Sequence, residues 1–563
     1  MHEEWMKEVI RNMKRGGNKL KIFQNKIIKK ILSIGFYVWI PVLIILASVI
    51  FPLSNWYKSN IKVSIDAAIF TLRSPLKGAN NGITEKIIEA VIPAFIIAAV
   101  IIAIVIGLEF LLTRRRTDLL FIDFDAIIVK RRKMYRLIAF SMAFIYLIVS
   151  LVYSNFQIDY MSYVMMNLKS TRIYQKEYVD PKTVEITKDS GIEVASVDDQ
   201  AGADAVEKAN PTKNLIYIYV ESFETTYASR KYGGCQSKDM NLIPNMEKVA
   251  KENTSFSTNN KLRGIMNTYG NGWTFGSIFS STSGLPFRFP NVENSTNKLK
   301  KFASGVTTLG EILEKEGYYQ EFMCGSDADF AGRKQYFKGH GNYKIFDVST
   351  AKKKGLIPED YLEGWGFEDE KLYQYAKDEL TRISSKDKPF NFTMLTCDTH
   401  FPQGHRCELC GDKYLKKFNG SKEQSAYGNT ADIVVCADKQ LSDFIDWCKD
   451  QDFFKNTVIV IQGDHPRMDK YLVKYAKGNE RTVYNCFINS SVEPVLGEKN
   501  RMLTIMDMFP TTLAAMGFKI KGDRLGLGTN AFSKQKTLAE KMGYDDFNAE
   551  LEKYSQYYID KFS

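Results

Sequence analysis

The sequence predicts an α/β fold: a mainly parallel sheet domain preceded by an α-helical membrane anchor of about three spans. Three observations predict it. Three long apolar runs lie beside basic clusters in the first 157 residues. From Asn214 onward, short β-branched and aromatic runs alternate with amphipathic helical segments. The stretches between those runs are long enough for the helical crossovers that parallel neighbours require.

The anchor comes first. Nine lysines and arginines between Lys7 and Lys30 precede an apolar run over about 31–53, long enough to span a bilayer, for which about 20 residues suffice. A cleavable signal peptide would be shorter and closer to the terminus. A second run, 87–112, ends against Arg114, Arg115 and Arg116, and a third, 137–153, follows Lys130, Arg131, Arg132, Lys133 and Arg136. Positive charge concentrates on the cytoplasmic side of spans, so the amino terminus and the second loop are expected inside and everything after the third span outside. Residues 1–157 are therefore read as the anchor, 158–213 as a juxtamembrane helix and polar linker, and 214–563 as an extracytoplasmic domain.

The same charge pattern excludes a nucleic-acid partner. The net charge of +11 sits largely beside the apolar runs, which is membrane topology, and no nucleic-acid-binding motif accompanies it. Eight cysteines in 563 residues do not make a disulfide scaffold. Cys407 and Cys410 form the one C-x-x-C pair, on a loop expected outside the cell; a small disulfide between them is expected, with half of a zinc site as the alternative because His405 is near. Cys324, Cys397 and Cys486 lie in apolar runs and read as buried small hydrophobes.

Expected strands cover 215–220, 318–323, 390–395, 457–462 and 483–488, with helices over 246–251, opened by Pro244, and 433–449. Chemistry in open α/β sheets collects beyond the carboxyl ends of the strands. The first strand ends in Glu221-Ser222, and the fourth in Gly463-Asp464-His465. Either carboxylate alone is as readily a cap or a solvated group. Between them, Gly270-Asn271-Gly272-Trp273-Thr274 opens a helical run that places Thr274 at an N-cap. The threonine could simply cap that helix. Alternatively it is a nucleophile at a helix amino terminus, where free N–H groups suit a phosphate, and a metal held by Glu221, Asp464 and His465 would activate its hydroxyl.

This set, E-S after a first strand, G-x-G-W-T before a helix and G-D-H after a late strand, resembles the sulfatase-like phosphoglycerol transferases of the alkaline phosphatase superfamily, which include the lipoteichoic acid synthases. The likeness covers roughly 214–533, and the G-W-T form is closer to the glucan-modifying branch. The resemblance implies one divalent metal, manganese above others, on Glu221, Thr274, Asp464 and His465, with Thr274 as catalytic nucleophile. It implies substrate binding by Arg333, in F-x-x-R, and by His400, in D-T-H-F-P; the segment Gly364-Trp365-Gly366 resembles one that lines the groove. It further implies a bacterial plasma-membrane enzyme moving glycerol phosphate from phosphatidylglycerol to a glycerophosphate polymer or cell-surface glycan through a phospho-threonine. Two features depart from the family: fewer spans, and Ala331-Gly332 where tryptophan-asparagine is frequent.

A phosphoethanolamine transferase would use the same nucleophile and metal on another lipid. A true sulfatase needs a cysteine or serine two residues before a proline and four before an arginine; Pro286 and Arg288 have Gly284 there, which cannot become formylglycine. An inactive lipid- or glycan-binding sensor would not need the full ligand set.

Overall fold

The computed structural model describes residues 36–58, 81–113, 124–158, 160–188, 213–237, 240–289, 302–402, 404–474, 476 and 480–562. The amino-terminal lysines, Arg114 to Arg116 and the linker around 189–211 lie outside these. The described residues form two compact units, one within 36–161 and the other within 162–562.

In the first unit, helices α1 (Phe36–Lys58), α2 (Asn81–Thr113) and α3 (Phe124–Ile158) each contain a stretch long and apolar enough to cross a membrane. Only 11–28% of those stretches is buried within the protein, so the apolar side chains face outward, as Ile96, Phe110 and Leu137 do. A helix bundle in water would do the reverse. Glu109 of α2 is buried beside a small core of Phe36, Ile40, Ile44, Ala98, Ala139 and Ala143: Arg132 and Arg136 of α3 both donate to its Oε1, at 2.9 and 2.8 Å, and Tyr37 of α1 donates to Oε2 at 2.7 Å. One carboxylate thus joins three helices.

The second unit is built on a six-stranded sheet. Its strands are β1 (Asn214–Val220), β2 (Tyr319–Cys324), β3 (Lys344–Phe346), β4 (Phe390–Leu395), β5 (Thr457–Gly463) and β6 (Asn485–Ile488), in the order β3-β2-β4-β1-β5-β6. All neighbours are parallel except β5 and β6. The short edge strand β3 had no signal of its own in the sequence.

Why β1 reads as an unbroken apolar run follows from its position. Both faces of the sheet are covered, so every residue of β1 and β5 is buried. Leu215, Tyr217 and Tyr219 enter one core with α5 (Thr274–Ser283) and α9 (Met508–Ala515). Ile216, Ile218 and Val220 enter the other, under α4 (Pro244–Glu252), α7 (Asp369–Ser384) and α8 (Lys422–Lys449). Pro244 opens α4 at the position where a missing N–H costs nothing.

The junction expected over 158–213 divides. Its described stretch to Lys188 belongs with the sheet unit: Tyr174 is fully buried in the first core, and Ile186–Lys188 pairs antiparallel with Phe518–Ile520.

Candidate active site

Strand register explains how the two carboxylates meet. β1 and β5 are parallel, with Val220 level with Gly463, so the next residues, Glu221 and Asp464, emerge side by side. Thr396, just past β4, accepts the Glu221 amide at 3.0 Å. Glu221, Asp464 and His465 are each at most 2% exposed, and one donor atom from each lies within 4.8 Å of the others. His465 Nε2 stands 3.6 Å from Glu221 Oε1 and 3.4 Å from Asp464 Oδ2.

Thr274 completes the cluster. It is the first residue of α5; the N-cap is Trp273, and no side chain caps the helix. The capping alternative for the threonine therefore fails, and its hydroxyl points elsewhere, 3.3 Å from both Glu221 Oε2 and His465 Nε2. Glycines on both sides let the loop fold tightly: Gly270 has φ +85°, and a Cβ there would meet Phe287 backbone at 2.8 Å.

The donor set fits a divalent cation. His465 Nδ1 lies 3.0 Å from the Pro466 carbonyl, which can only accept, so Nδ1 carries a proton and Nε2 faces the carboxylates, where it could ligate a cation. Asp464 Oδ2 is buried without a hydrogen-bond donor, while Oδ1 accepts from the amides of Ser222 and His465, both at 2.7 Å. Two buried carboxylates this close repel: burial, then Glu221, pushes Asp464 up to about 7. Burial also works against ionising Glu221, yet His400, His465 and the Ser222 hydroxyl bring it below its ordinary value. Burial disfavours charge on His465, but Asp464 and Glu221 outweigh it and hold its pKa above the usual value. A bound cation would compensate the buried charge.

Around this cluster lie the other expected residues. Arg333 is 6% exposed; its Nη2 donates to Ser326 Oγ and the Asp327 carbonyl, both at 3.0 Å. It begins α6 (Arg333–Gly339) after two left-handed residues, Ala331 (φ 55°) and Gly332 (φ 74°), and its guanidinium lies over Phe330 at 5.7 Å. Phe330 in turn packs on Trp365 at 5.6 Å, and Trp365 on His400 at 4.4 Å. The F-x-x-R segment thus meets an indole from a different loop. His400 Nδ1 donates to the Phe401 carbonyl, leaving Nε2 free; burial lowers its pKa, so its ring is neutral at pH 7.

One expectation is corrected. The disulfide joins Cys410 to Cys436 of α8, with Cα atoms 5.1 Å apart, and not to Cys407. The true partner stands on a helix 26 residues on, a proximity created by tertiary packing alone. His405 does not join the sulfurs; its Nδ1 lies 3.8 Å from Glu363 Oε2.

Two supporting residues were given no role of their own from the sequence. Ser222 adopts φ 52° and its hydroxyl donates to Glu221 Oε1 at 2.6 Å. Arg467, 2% exposed, donates Nε to Asp469 Oδ2 at 2.8 Å, Nη1 to the Thr399 carbonyl and Nη2 to the Pro402 carbonyl at 3.3 Å. It locks the loop that carries His400. The phrase G-D-H-P-R held the only local hint.

Fold and site together define an α/β protein of the alkaline-phosphatase type. The sulfatase family model matches residues 213–518, more than half of the chain, and the chain belongs to that family. Curated relatives named phosphoglycerol transferase I match from Xanthomonas axonopodis pv. citri, 29% identical over 50% of this chain and 38% of that protein, and from Escherichia fergusonii, 29% over 58% and 40%. The chain thus spans about 40% of the length of these curated relatives. Among solved structures, the lipoteichoic acid synthase LtaP from Listeria monocytogenes is 20% identical, with a TM-score of 0.44 over 57% of this chain and 76% of that one. The phosphoglycerol transferase GacH of Streptococcus pyogenes, in complex with sn-glycerol-1-phosphate, is 16% identical, with a TM-score of 0.37 over 55% and 75%. The sulfatase match does not make Gly284 a formylglycine precursor; it ends α5 at φ 68° and has no side chain to convert.

Proposed function

We propose that the chain is a membrane-anchored phosphoglycerol transferase that moves glycerol phosphate from phosphatidylglycerol to a hydroxyl of a glycerophosphate polymer or cell-surface glycan. The observation that carries this reading is the Thr274 hydroxyl, half-buried and equidistant, at 3.3 Å, from Glu221 and His465 at the start of a helix. The printed name of the curated relatives supports the transferred group.

Glu221, Asp464, His465 and Thr274 would hold one divalent ion, Mn2+ in this reading. Such an ion supplies positive charge against phosphate oxygens and lowers the pKa of a neighbouring hydroxyl. The protein's own groups do the rest. Thr274 Oγ1 attacks phosphorus, the bond from phosphorus to the diacylglycerol oxygen breaks, and that oxygen leaves with a proton as diacylglycerol. The threonine then carries the glycerophosphoryl group until an acceptor hydroxyl displaces it and the threonine regains its proton. Backbone amides at the first turn of α5 would receive the phosphate oxygens. His400 Nε2, a lone pair held in orientation by the bond through Nδ1, would take the proton of the attacking hydroxyl and hand it to the leaving oxygen, and Arg333 with Trp365 and Phe330 would form the wall for the headgroup. A lipid donor accounts for the three apolar helices, and the sheet unit works on the extracytoplasmic side of a bacterial plasma membrane.

The test is direct. Full-length protein in detergent, given Mn2+ and headgroup-labelled phosphatidylglycerol, accumulates a glycerophosphate adduct on Thr274 detectable by mass spectrometry, and Thr274→Ala has none. An adduct on another residue, or preference for phosphatidylethanolamine run in parallel, overturns the reading.

A further inference from the structure

A disulfide uses two sulfurs, yet three meet beside α8. With Cys410 bonded to Cys436, the Cys407 thiol lies 3.5 Å from one of these sulfurs and 3.7 Å from the other, and Cys407 and Cys436 are both buried. The fourth group at this point is Gln440, whose Nε2 is 3.3 Å from both Cys407 Sγ and Cys436 Sγ. That amide is more than nine-tenths buried, and its Oε1 has no hydrogen-bond partner.

The scaffold delivering these groups has the form of a metal site. Cys407 and Cys410 come from one C-x-x-C turn, closed by the Cys410 amide donating to the Cys407 carbonyl at 3.1 Å. Cys436 and Gln440 come from one face of α8, four residues apart and so one turn above the other. A two-residue gap in a loop followed by a three-residue gap on a helix is the spacing by which small proteins surround zinc. The distances agree: sulfurs bound tetrahedrally to zinc at about 2.3 Å stand about 3.8 Å from one another, close to the separations of Cys407 from its two neighbours. A half-turn of the Gln440 amide about its last side-chain bond, which exchanges nitrogen and oxygen without moving the rest of the side chain, turns the orphaned oxygen toward the sulfurs as a hard fourth ligand.

We propose that, when the Cys410–Cys436 bond is reduced, Cys407, Cys410, Cys436 and the Gln440 amide oxygen bind one thiophilic divalent cation of the zinc type, at a site separate from Glu221, Asp464 and His465. Reduction by a phosphine opens the disulfide: phosphorus gives up two electrons and takes an oxygen from water to become the phosphine oxide, and two protons go to the sulfurs. Each of the three thiols then loses its proton as its sulfur–metal bond forms. In either state the cluster ties the loop after His400 to α8. That loop is short, since the Gly404 and His405 amides already donate to the His400 and Asp398 carbonyls at 2.8 and 2.7 Å.

The probe is Co2+, added to full-length protein in detergent after phosphine reduction and removal of excess reductant. Thiolate ligation gives an intense near-ultraviolet sulfur-to-cobalt charge-transfer band, which an oxygen–nitrogen site does not. The band is expected in the reduced wild type at about one equivalent, absent from the oxidised protein, lost in Cys407→Ser, and requiring about 10–100-fold more Co2+ in Gln440→Ala. Cys407→Ser leaves Cys410 and Cys436 free to pair, so its folding is checked in the oxidised state. Thr274→Ala keeps the band, so failure of the transfer mechanism and failure of this site read differently. No band in the reduced wild type, or an undiminished band in both Cys407→Ser and Cys436→Ser, overturns the proposal.

Discussion

Ser222 pays for its position with backbone strain: a left-handed φ of 52° costs a non-glycine residue about 1–2 kcal/mol. The conformation turns its amide to Asp464 Oδ1 and its hydroxyl to Glu221 Oε1. Ser222→Gly removes the strain and also a hydrogen bond to a charged group, about 1.5–3 kcal/mol, so the two effects nearly cancel. Unfolding midpoints within a few degrees of wild type are expected, together with a fall in kcat of about tenfold as Glu221 loses its anchor; unchanged kcat would show that the serine only shapes the turn. The sequence displays E-S plainly, but not the sign of φ that makes the serine matter. Similarly, Arg333 and Trp365 were legible as candidates, while their meeting through Phe330 was not.

Among the elements, Arg467 and Asp438 show how loops and helices are held for the site. Arg467→Ala strips two carbonyls of the His400 loop of their donor and leaves Asp469, 7% exposed, without its cation. A loss of about 3–5 kcal/mol is expected by chemical denaturation; Arg467→Lys, keeping charge but not the fork, should lose less stability and show a raised KM for the lipid. Asp438 of α8 accepts from the amides of Asn245 and Met246 at 3.0 and 2.8 Å and so fixes the start of α4. Burial pushes its carboxyl up to about 7. A carboxyl held above its unfolded value binds its proton more tightly when folded, so its contribution to stability declines as pH rises from about 4 to about 7. The advantage of wild type over Asp438→Asn should therefore be greatest at or below about pH 4, shrink between about pH 4 and pH 7, and level off above that; an advantage constant with pH would place the titration elsewhere. Strands 390–395 and most of β1 and β5 matched their expected limits, because buried β-branched runs stop abruptly at polar residues. β3, three residues long on the sheet edge, carries too little pattern to be read.

For the whole molecule, the proposed cation couples site to stability. A ligand that binds only the folded chain stabilises it by about 2.7 kcal/mol at a hundred times its dissociation constant. Mn2+ should therefore raise the unfolding temperature of the full-length protein, and Asp464→Asn should abolish the shift. Because Asp464 titrates at about 7 in the metal-free protein and a carboxyl must lose its proton to ligate, affinity should weaken as pH falls below about 7. Calorimetric titration at several pH values measures both; a pH-independent affinity would exclude Asp464 as a ligand.

Local pattern alone determined the α/β class, the three apolar helices, the strand ends carrying Glu221 and Asp464, and the glycine-flanked Thr274, since hydrophobic period and chain-breaking residues act over a few positions. Tertiary structure decided everything that joins distant segments. Parallel register set Glu221 beside Asp464, a helix start turned the Thr274 hydroxyl from a cap toward Glu221 and His465, and α8 brought Cys436 to Cys410 ahead of Cys407. Such meetings depend on how layers pack across a covered sheet, and spacing along the chain does not record them.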